Sequence, residues 1–208
     1  MTSDAMHGLA GQGLLGMSLP RTIILGSWLL FLGFWGLMAI GTKKSVFEQP
    51  ADERRRYTLP LLGALIFISG MLRFIPPLAL IARPLPVPLF TLNWIGAGAA
   101  VLGVLIAIWA RVSLGRNWSG VVTLKADHEL VTSGPYAAIR HPIYTALILL
   151  FVGTACLVAS PGAFIGLACV VWSCWVKLRQ EEALMLQQFP GSYPAYMDRT
   201  KRLVPRLV

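Results

Sequence analysis

Charge is scarce in this sequence. Asp, Glu, Lys and Arg together make up 13% of 208 residues, against roughly 25% in ordinary soluble domains. So thin a supply cannot cover a water-exposed surface, which excludes a soluble doubly wound enzyme and a disordered binder. Cysteine is limited to Cys156, Cys169 and Cys174, all inside apolar runs. That leaves no disulfide framework and no thiolate metal pattern. Histidine is equally rare, with three copies. His128 and His141, without a suitably spaced third ligand, make a poor metal site. The chain also has no phosphate loop, no nucleophile elbow, no His-Glu-x-x-His, no internal repeat and no low-complexity tract.

What the sequence has instead is apolar surface. Hydrophobic residues reach 56% and the mean hydropathy is +0.66, so the bilayer is the expected solvent. A helix crosses the hydrocarbon core with about 20 mostly apolar residues. Five stretches meet or approach that length, at about 22–41, 58–75, 89–110, 143–160 and 162–176. Pro161-Gly162 separates the last two, which predicts a tight helical hairpin. The fold class expected is therefore an all-α integral membrane protein of about five spans. Residues 1–20 are Gly-rich and lack the basic start and cleavage site of a signal peptide; they read as a flexible tail before one transmembrane domain, 21–208.

The basic residues predict the orientation. The 43–57 and 111–142 loops and the tail from Lys177 carry 15 Lys and Arg, while the opposite set of segments carries 3. Such a bias places the N-terminus outside and the C-terminus in the cytoplasm, with a bacterial inner membrane the expected location. It also assigns the net charge of +9 to cytoplasmic loops and anionic lipid headgroups, with no nucleic-acid partner. Arg73, in Met71-Leu72-Arg73-Phe74-Ile75-Pro76-Pro77, reads either as a side chain snorkelling to the outer headgroups or as one lining a polar cavity.

Polar chemistry gathers in two places on the predicted cytoplasmic face. Residues 125–144 hold His128, Tyr136, Arg140, His141 and Tyr144 around a Ser133-Gly134-Pro135-Tyr136 turn. Pro142 suits the first turn of a helix, so His141 falls at its N-cap, and such a helix start attracts carboxylates. Gly134 lets backbone approach a ligand closely. The second cluster is Lys177-Leu-Arg-Gln-Glu181-Glu182, where a continuing helix would put Lys177 and Glu181 on one face. It reads either as an interfacial charge cluster or as a holder of an ammonium or sulfonium group. Phe189, Tyr193 and Tyr196 then recur at helical spacing, a face able to lie on the membrane or cover a site. Gly96-Ala-Gly98 lies inside an apolar run, and Gly162-Ala-Phe-Ile-Gly166 is a GxxxG; both read as helix-packing surfaces.

Several pieces share an order and spacing: Leu114-Gly115-Arg116-Asn117-Trp118-Ser119, His128-x-Leu130-Val131-Thr132-x-Gly134-Pro135-Tyr136, Arg140-His141-Pro142-x-Tyr144, the Glu181-Glu182 pair, and Phe189…Tyr193…Tyr196…Arg202…Pro205. Over about residues 112–205 the sequence resembles the isoprenylcysteine carboxyl methyltransferase family, which belongs with the phospholipid methyltransferases among integral-membrane enzymes. The resemblance implies an S-adenosylmethionine-dependent methyl transfer. It implies a cofactor pocket lined by His128, Leu130, Val131, Gly134 and Tyr136, completed by Arg140, His141, Pro142 and Tyr144, with Glu181 or Glu182 holding the cofactor's amino group or the substrate end. Glu182, Lys177 and Arg140 are the catalytic candidates. Departures stand at Ala137, Ala138 and Ala146, and at Lys177, where relatives that methylate prenylcysteine carry arginine. A lysine lacks arginine's two-pronged fork for a carboxylate.

The partners expected are the lipid bilayer and a lipophilic acceptor entering between helices. A prenylcysteine-type carboxylate is the first acceptor class. Phospholipid N-methylation and small-thiol methylation are alternatives, as are a non-catalytic membrane protein and a small transporter. A carboxylate needs no base at neutral pH; an amine, thiol or phenol does, with Glu181 or Glu182 the candidate.

Overall fold

The computed structural model describes residues 18–40, 45–69, 74–115, 118, 123–125 and 130–206. Within them run α1 (Leu19–Ala39), α2 (Ala51–Ile68), α3 (Leu89–Leu114), α4 (Pro142–Val158), α5 (Pro161–Gln188) and the short α6 (Tyr193–Arg199). Single 3₁₀ stretches occupy Pro76–Ala82 and Gly134–Ala137. Helices α1, α3 and α5 are long and apolar enough to cross a membrane. Helix α4 is apolar but has 17 residues. These helices and the leucines they expose, such as Leu29, Leu37 and Leu105, mark an integral membrane protein.

The described residues fit the all-α class, with one small addition: β1 (Ser45–Glu48) pairs antiparallel with β2 (Thr123–Lys125). Strands of four and three residues are too short to leave a periodic signal. Three helices depart from their expected limits. Helix α1 starts at Leu19, inside the stretch read as a tail, with Pro20 buried in its first turn. Helix α2 starts at Ala51 and not near Thr58, because Pro50 and the acidic first turn of Asp52 and Glu53 favour a helix N-terminus. It ends at Ile68, short of the expected Ile75. Helix α5 runs twelve residues past Val176 to Gln188, since no Gly or Pro interrupts the chain before Pro190-Gly191. Arg73 and residues 1–17 lie outside the described residues.

Helix α4 is the central pillar. On one side Ala146 and Leu150 join Ile24, Phe31, Ala97, Ala100, Val104 and Ala107 from α1 and α3. On the other, Tyr144 and Phe151 join Ala64 of α2 and Val170, Cys174 and Leu178 of α5. The Trp28 indole of α1 donates to Thr154 Oγ1 at 2.9 Å and meets the Phe151 ring edge-on at 5.0 Å.

Small residues let the helix backbones close on one another. A Cβ at Gly103 would sit 2.8 Å from the Ala146 carbonyl, and one at Gly153 2.8 Å from the Gly96 carbonyl. Across the other seam, a Cβ at Gly166 would sit 2.9 Å from the Ala64 carbonyl of α2. The packing reading holds for Gly96, Gly162 and Gly166, while Gly98 has nothing within 4 Å of its absent Cβ. The α4–α5 hairpin turns at Ala159, in the left-handed region at φ 47°. Ser160 accepts the Ala163 N–H at 3.2 Å, and Leu85 N–H donates to the Ala159 carbonyl at 2.7 Å. At the opposite end, buried Arg111 donates to the carbonyls of Met38 and Gly115, satisfying the C-terminal ends of α1 and α3 together.

A larger side chain at Gly103 must therefore push α3 from α4. Gly103→Leu is expected to cost about 1–3 kcal/mol, the usual range for overpacking. Gly98→Ala should leave stability equal or raised. Thermal unfolding of both variants in one detergent checks the contrast.

Candidate functional site

The site grows from the first turn of α4. His141 is the N-cap and Pro142 the first helical residue, as the sequence predicts. Before it, Gly134 takes φ 60° and lies so close to α3 that a Cβ would meet Ser113 Oγ at 2.5 Å. The close approach expected at Gly134 is thus made to α3. From there Tyr136 and Arg140 turn inward.

The C-terminal segment runs beside this loop and covers it. Ile139 and Lys201 form a parallel bridge. The backbone N–H groups of Arg140 and His141 donate to the carbonyls of Lys201 at 2.7 Å and Arg202 at 3.0 Å. Thr145 Oγ1 donates to the Leu203 carbonyl at 2.7 Å, and the Tyr196 hydroxyl to the Tyr136 carbonyl at 2.7 Å. Tyr193 and Tyr196 are buried, so of the two readings offered for this aromatic face, α6 takes the cover over the loop. Burial raises the Tyr136 and Tyr193 hydroxyls, and raises Tyr196 to about 12. All three remain protonated donors at neutral pH.

At the centre lies Glu182, 4% exposed. Arg140 Nε donates to its Oε1 at 2.9 Å, and Arg202 Nε to its Oε2 at 2.9 Å. His141 Nε2 is 3.3 Å from Oε1. Arg140 also donates through Nη1 to the Met197 carbonyl at 3.1 Å and to the Thr200 carbonyl. Glu182 lies on the polar extension of α5, beyond the apolar run. Burial alone would raise its carboxyl, but hydrogen bonds from His141, Arg140 and Arg202 reverse this and hold it below its ordinary value. Glu181 is more open. It accepts the Tyr144 hydroxyl at 2.5 Å and lies 3.7 Å from His141 Nδ1. Lys177 Nζ lies 5.4 Å from the Tyr57 ring centre and 5.7 Å from that of Tyr144.

Two stretches 40 residues apart in sequence thus meet. Arg140, His141, Pro142, Tyr144, Glu181 and Glu182 form one cluster, with Lys177 beside it through Tyr144 and Tyr136 tied in through Tyr196. Leu130 and Val131 are half-buried in the preceding loop, and His128 lies outside the described residues. Sequence reasoning missed Arg202 as a direct partner of Glu182, Thr200 as an acceptor for Arg140, and Tyr57 of α2 beside Lys177. Arg202 was visible as part of the conspicuous tail; Tyr57 carried no signal. Among the described residues no group of acidic, His and Cys side chains could hold a metal.

Glu182→Ala would leave Arg140 and His141 buried without their carboxylate. Removing one member of a buried ion pair costs about 3–5 kcal/mol, and the tail is the part free to leave. Limited proteolysis should cut the variant between α6 and Pro205 while the native chain resists.

Residues 94–187 match the model of the isoprenylcysteine carboxyl methyltransferase (ICMT) family. The chain is 30% identical over 113 residues to protein-S-isoprenylcysteine O-methyltransferase B of Arabidopsis thaliana, covering 53% of this chain and 57% of that protein. It is 33% identical over 110 residues to the Dictyostelium discoideum protein-S-isoprenylcysteine O-methyltransferase, covering 51% and 46%. The namesake of Schizosaccharomyces pombe is 29% identical over 163 residues, covering 73% and 67%. Against the first two, the chain spans about half the length of its relative.

Proposed function

We propose that this chain, which belongs through residues 94–187 to the isoprenylcysteine carboxyl methyltransferase family, transfers a methyl group from S-adenosylmethionine to the carboxylate of a lipophilic, prenylcysteine-type acceptor. The observation that carries this reading is the joining of Arg140, His141 and Tyr144 to Glu181 and Glu182 beneath the C-terminal segment. The cluster pairs a bilayer-facing fold with polar groups at one end, as a reaction between a lipid and a water-soluble cofactor requires.

The donor set suits that cofactor. Its cationic groups call for a carboxylate neighbour, and Glu181, only partly buried at the edge of the cluster, offers one. S-adenosylmethionine supplies an electrophilic methyl on a sulfonium, so the protein's part is orientation and exclusion of water. Leu130, Val131, Gly134, Tyr136, Pro142 and His128 are assigned to the cofactor's surroundings. Glu182 is a positioning residue in this reading. Its oxygens are taken by Arg140, His141 and Arg202, and an ionised carboxylate acceptor needs no base. Arg140, engaged by Glu182, Met197 and Thr200, holds the tail closed over the site. Lys177 is the acceptor-side cation, poised between two rings at the edge of the cluster.

Orientation belongs to the same proposal. The excess of basic residues in the segments that carry the cluster supports a cytoplasmic C-terminus and cofactor side. In a background without native cysteines, an impermeant thiol reagent added outside should label a cysteine placed at Pro161 and spare one at Ser192. The reverse pattern would remove the site from cytoplasmic cofactor.

Membranes containing the chain should transfer label from methyl-labelled S-adenosylmethionine to a farnesylated cysteine, and mild base should release that label as methanol. Base-stable label on phospholipid would replace the ester-forming reading with N-methylation. In the purified protein, His141→Ala should weaken S-adenosylhomocysteine binding at least about tenfold, or roughly 1.4 kcal/mol. Unchanged affinity in the folded variant would reduce His141 to a helix cap.

A further inference from the structure

One apolar feature is not used by the site. Phe164, Leu167, Ala168, Val171, Trp172 and Trp175 line a groove of about 470 Å³ on the outer face of α5. The groove is shallow and open outward along the helix. Positions 164, 168, 171, 172 and 175 follow the helical repeat, so they form one stripe along the helix axis. Phe164, Val171 and Trp172 are exposed, Trp172 by 60%, and two tryptophans stand at the end nearer the charged cluster. Tryptophans where an apolar helix face meets charged residues are typical of a membrane–water boundary.

The stripe ends in positive charge. Arg179 follows Trp175 by one turn on the same face and is exposed. The Arg202 guanidinium lies over the Trp175 ring, 5.3 Å from its centre. Its Nε is the nitrogen given to Glu182, and a third of its side chain faces outward. Arg199, Lys201 and Arg206, all exposed, add cations along the same tail. We propose that this groove seats the acyl chain of an acidic phospholipid of the bilayer, with its phosphate held between Arg179 and Arg202. Charge complementarity selects the occupant: two guanidinium groups at the polar end of an apolar track match an anionic headgroup on a chain. Because Arg202 also binds Glu182, an occupied groove fastens the C-terminal segment over the cluster.

The test is native mass spectrometry of the full chain released from micelles doped with equal phosphatidylglycerol and phosphatidylcholine. The native chain should retain phosphatidylglycerol at least about fivefold over phosphatidylcholine, close to 1 kcal/mol. Arg179→Gln should abolish the preference, and Trp172→Ala should lower retention of either lipid. Equal retention by the native chain would overturn the proposal, as would a preference untouched by Arg179→Gln. Displacement of the retained lipid by one equivalent of farnesylated cysteine would also overturn it, by giving the groove to the acceptor. No cofactor enters this readout, so its failure is separable from failure of the methyl-transfer reading.

Discussion

The carboxylate of Glu182 is the constraint on which the functional end depends. It draws Arg140 and His141 from the loop before α4 and Arg202 from the tail, while itself riding on α5. Burying one carboxylate and two guanidinium groups is costly. The cost is tolerable only because every partner is hydrogen-bonded and each arginine is bound elsewhere or partly solvated. Arg140 shows this most clearly: besides Glu182 it takes carbonyls of Met197 and Thr200, so α6 and the strand-like segment after it are fastened to the same guanidinium. A single charged group thereby ties three chain segments together.

That arrangement presupposes a rigid base, which the pillar position of α4 supplies. Its flank toward α3 is locked by a small-residue seam in which added methyl groups would meet backbone atoms, and a second such seam holds α5 on α2. Apolar burial adds little between helices that could equally face lipid, so close van der Waals packing has to hold them. Rigid α4 makes its N-terminus a fixed point, and Pro142 and His141 at that point present Tyr144 one half-turn later. Tyr144 looks two ways at once: its ring packs in the core with Phe151 and Val170, and its hydroxyl meets Glu181. It is the residue through which the membrane-embedded core addresses the polar site.

The architecture was legible where the physics is periodic or compositional. Apolar length announced the long helices, Pro161-Gly162 the hairpin, and Pro142 the start of α4. Both halves of the cluster were legible too, since Arg140-His141 and Glu181-Glu182 are dense polar groups beside apolar runs. Their union was implied only by the family resemblance, and the direct pairing of Glu182 with Arg140 could not be read because it spans 42 residues. Helix limits failed where polarity was taken for the end of a helix. Arg54–Arg56 lie inside α2 and Lys177–Gln188 inside α5, since Arg, Lys, Glu and Gln are good helix formers and do not end a helix. The β1–β2 pair escaped for the opposite reason: it is too short to impose a pattern, and its partners lie far apart in the chain.

The tail poses the remaining question of why the cluster should be covered by a segment held mainly through polar contacts. Residues 193–206 contribute few apolar side chains to the two core clusters, Leu203 being the clear one. Their hold is polar: backbone bonds to Arg140 and His141, the Tyr196 hydroxyl on Tyr136, and Arg202 on Glu182. Polar contacts of this kind contribute about 1 kcal/mol each when water competes for them, so several must act together, and together they can be released. An apolar cover would close the site permanently. Under the methyl-transfer proposal, a cover held by hydrogen bonds and one shared carboxylate is one that can admit a water-soluble cofactor, exclude water while the reacting groups are aligned, and open again for the product.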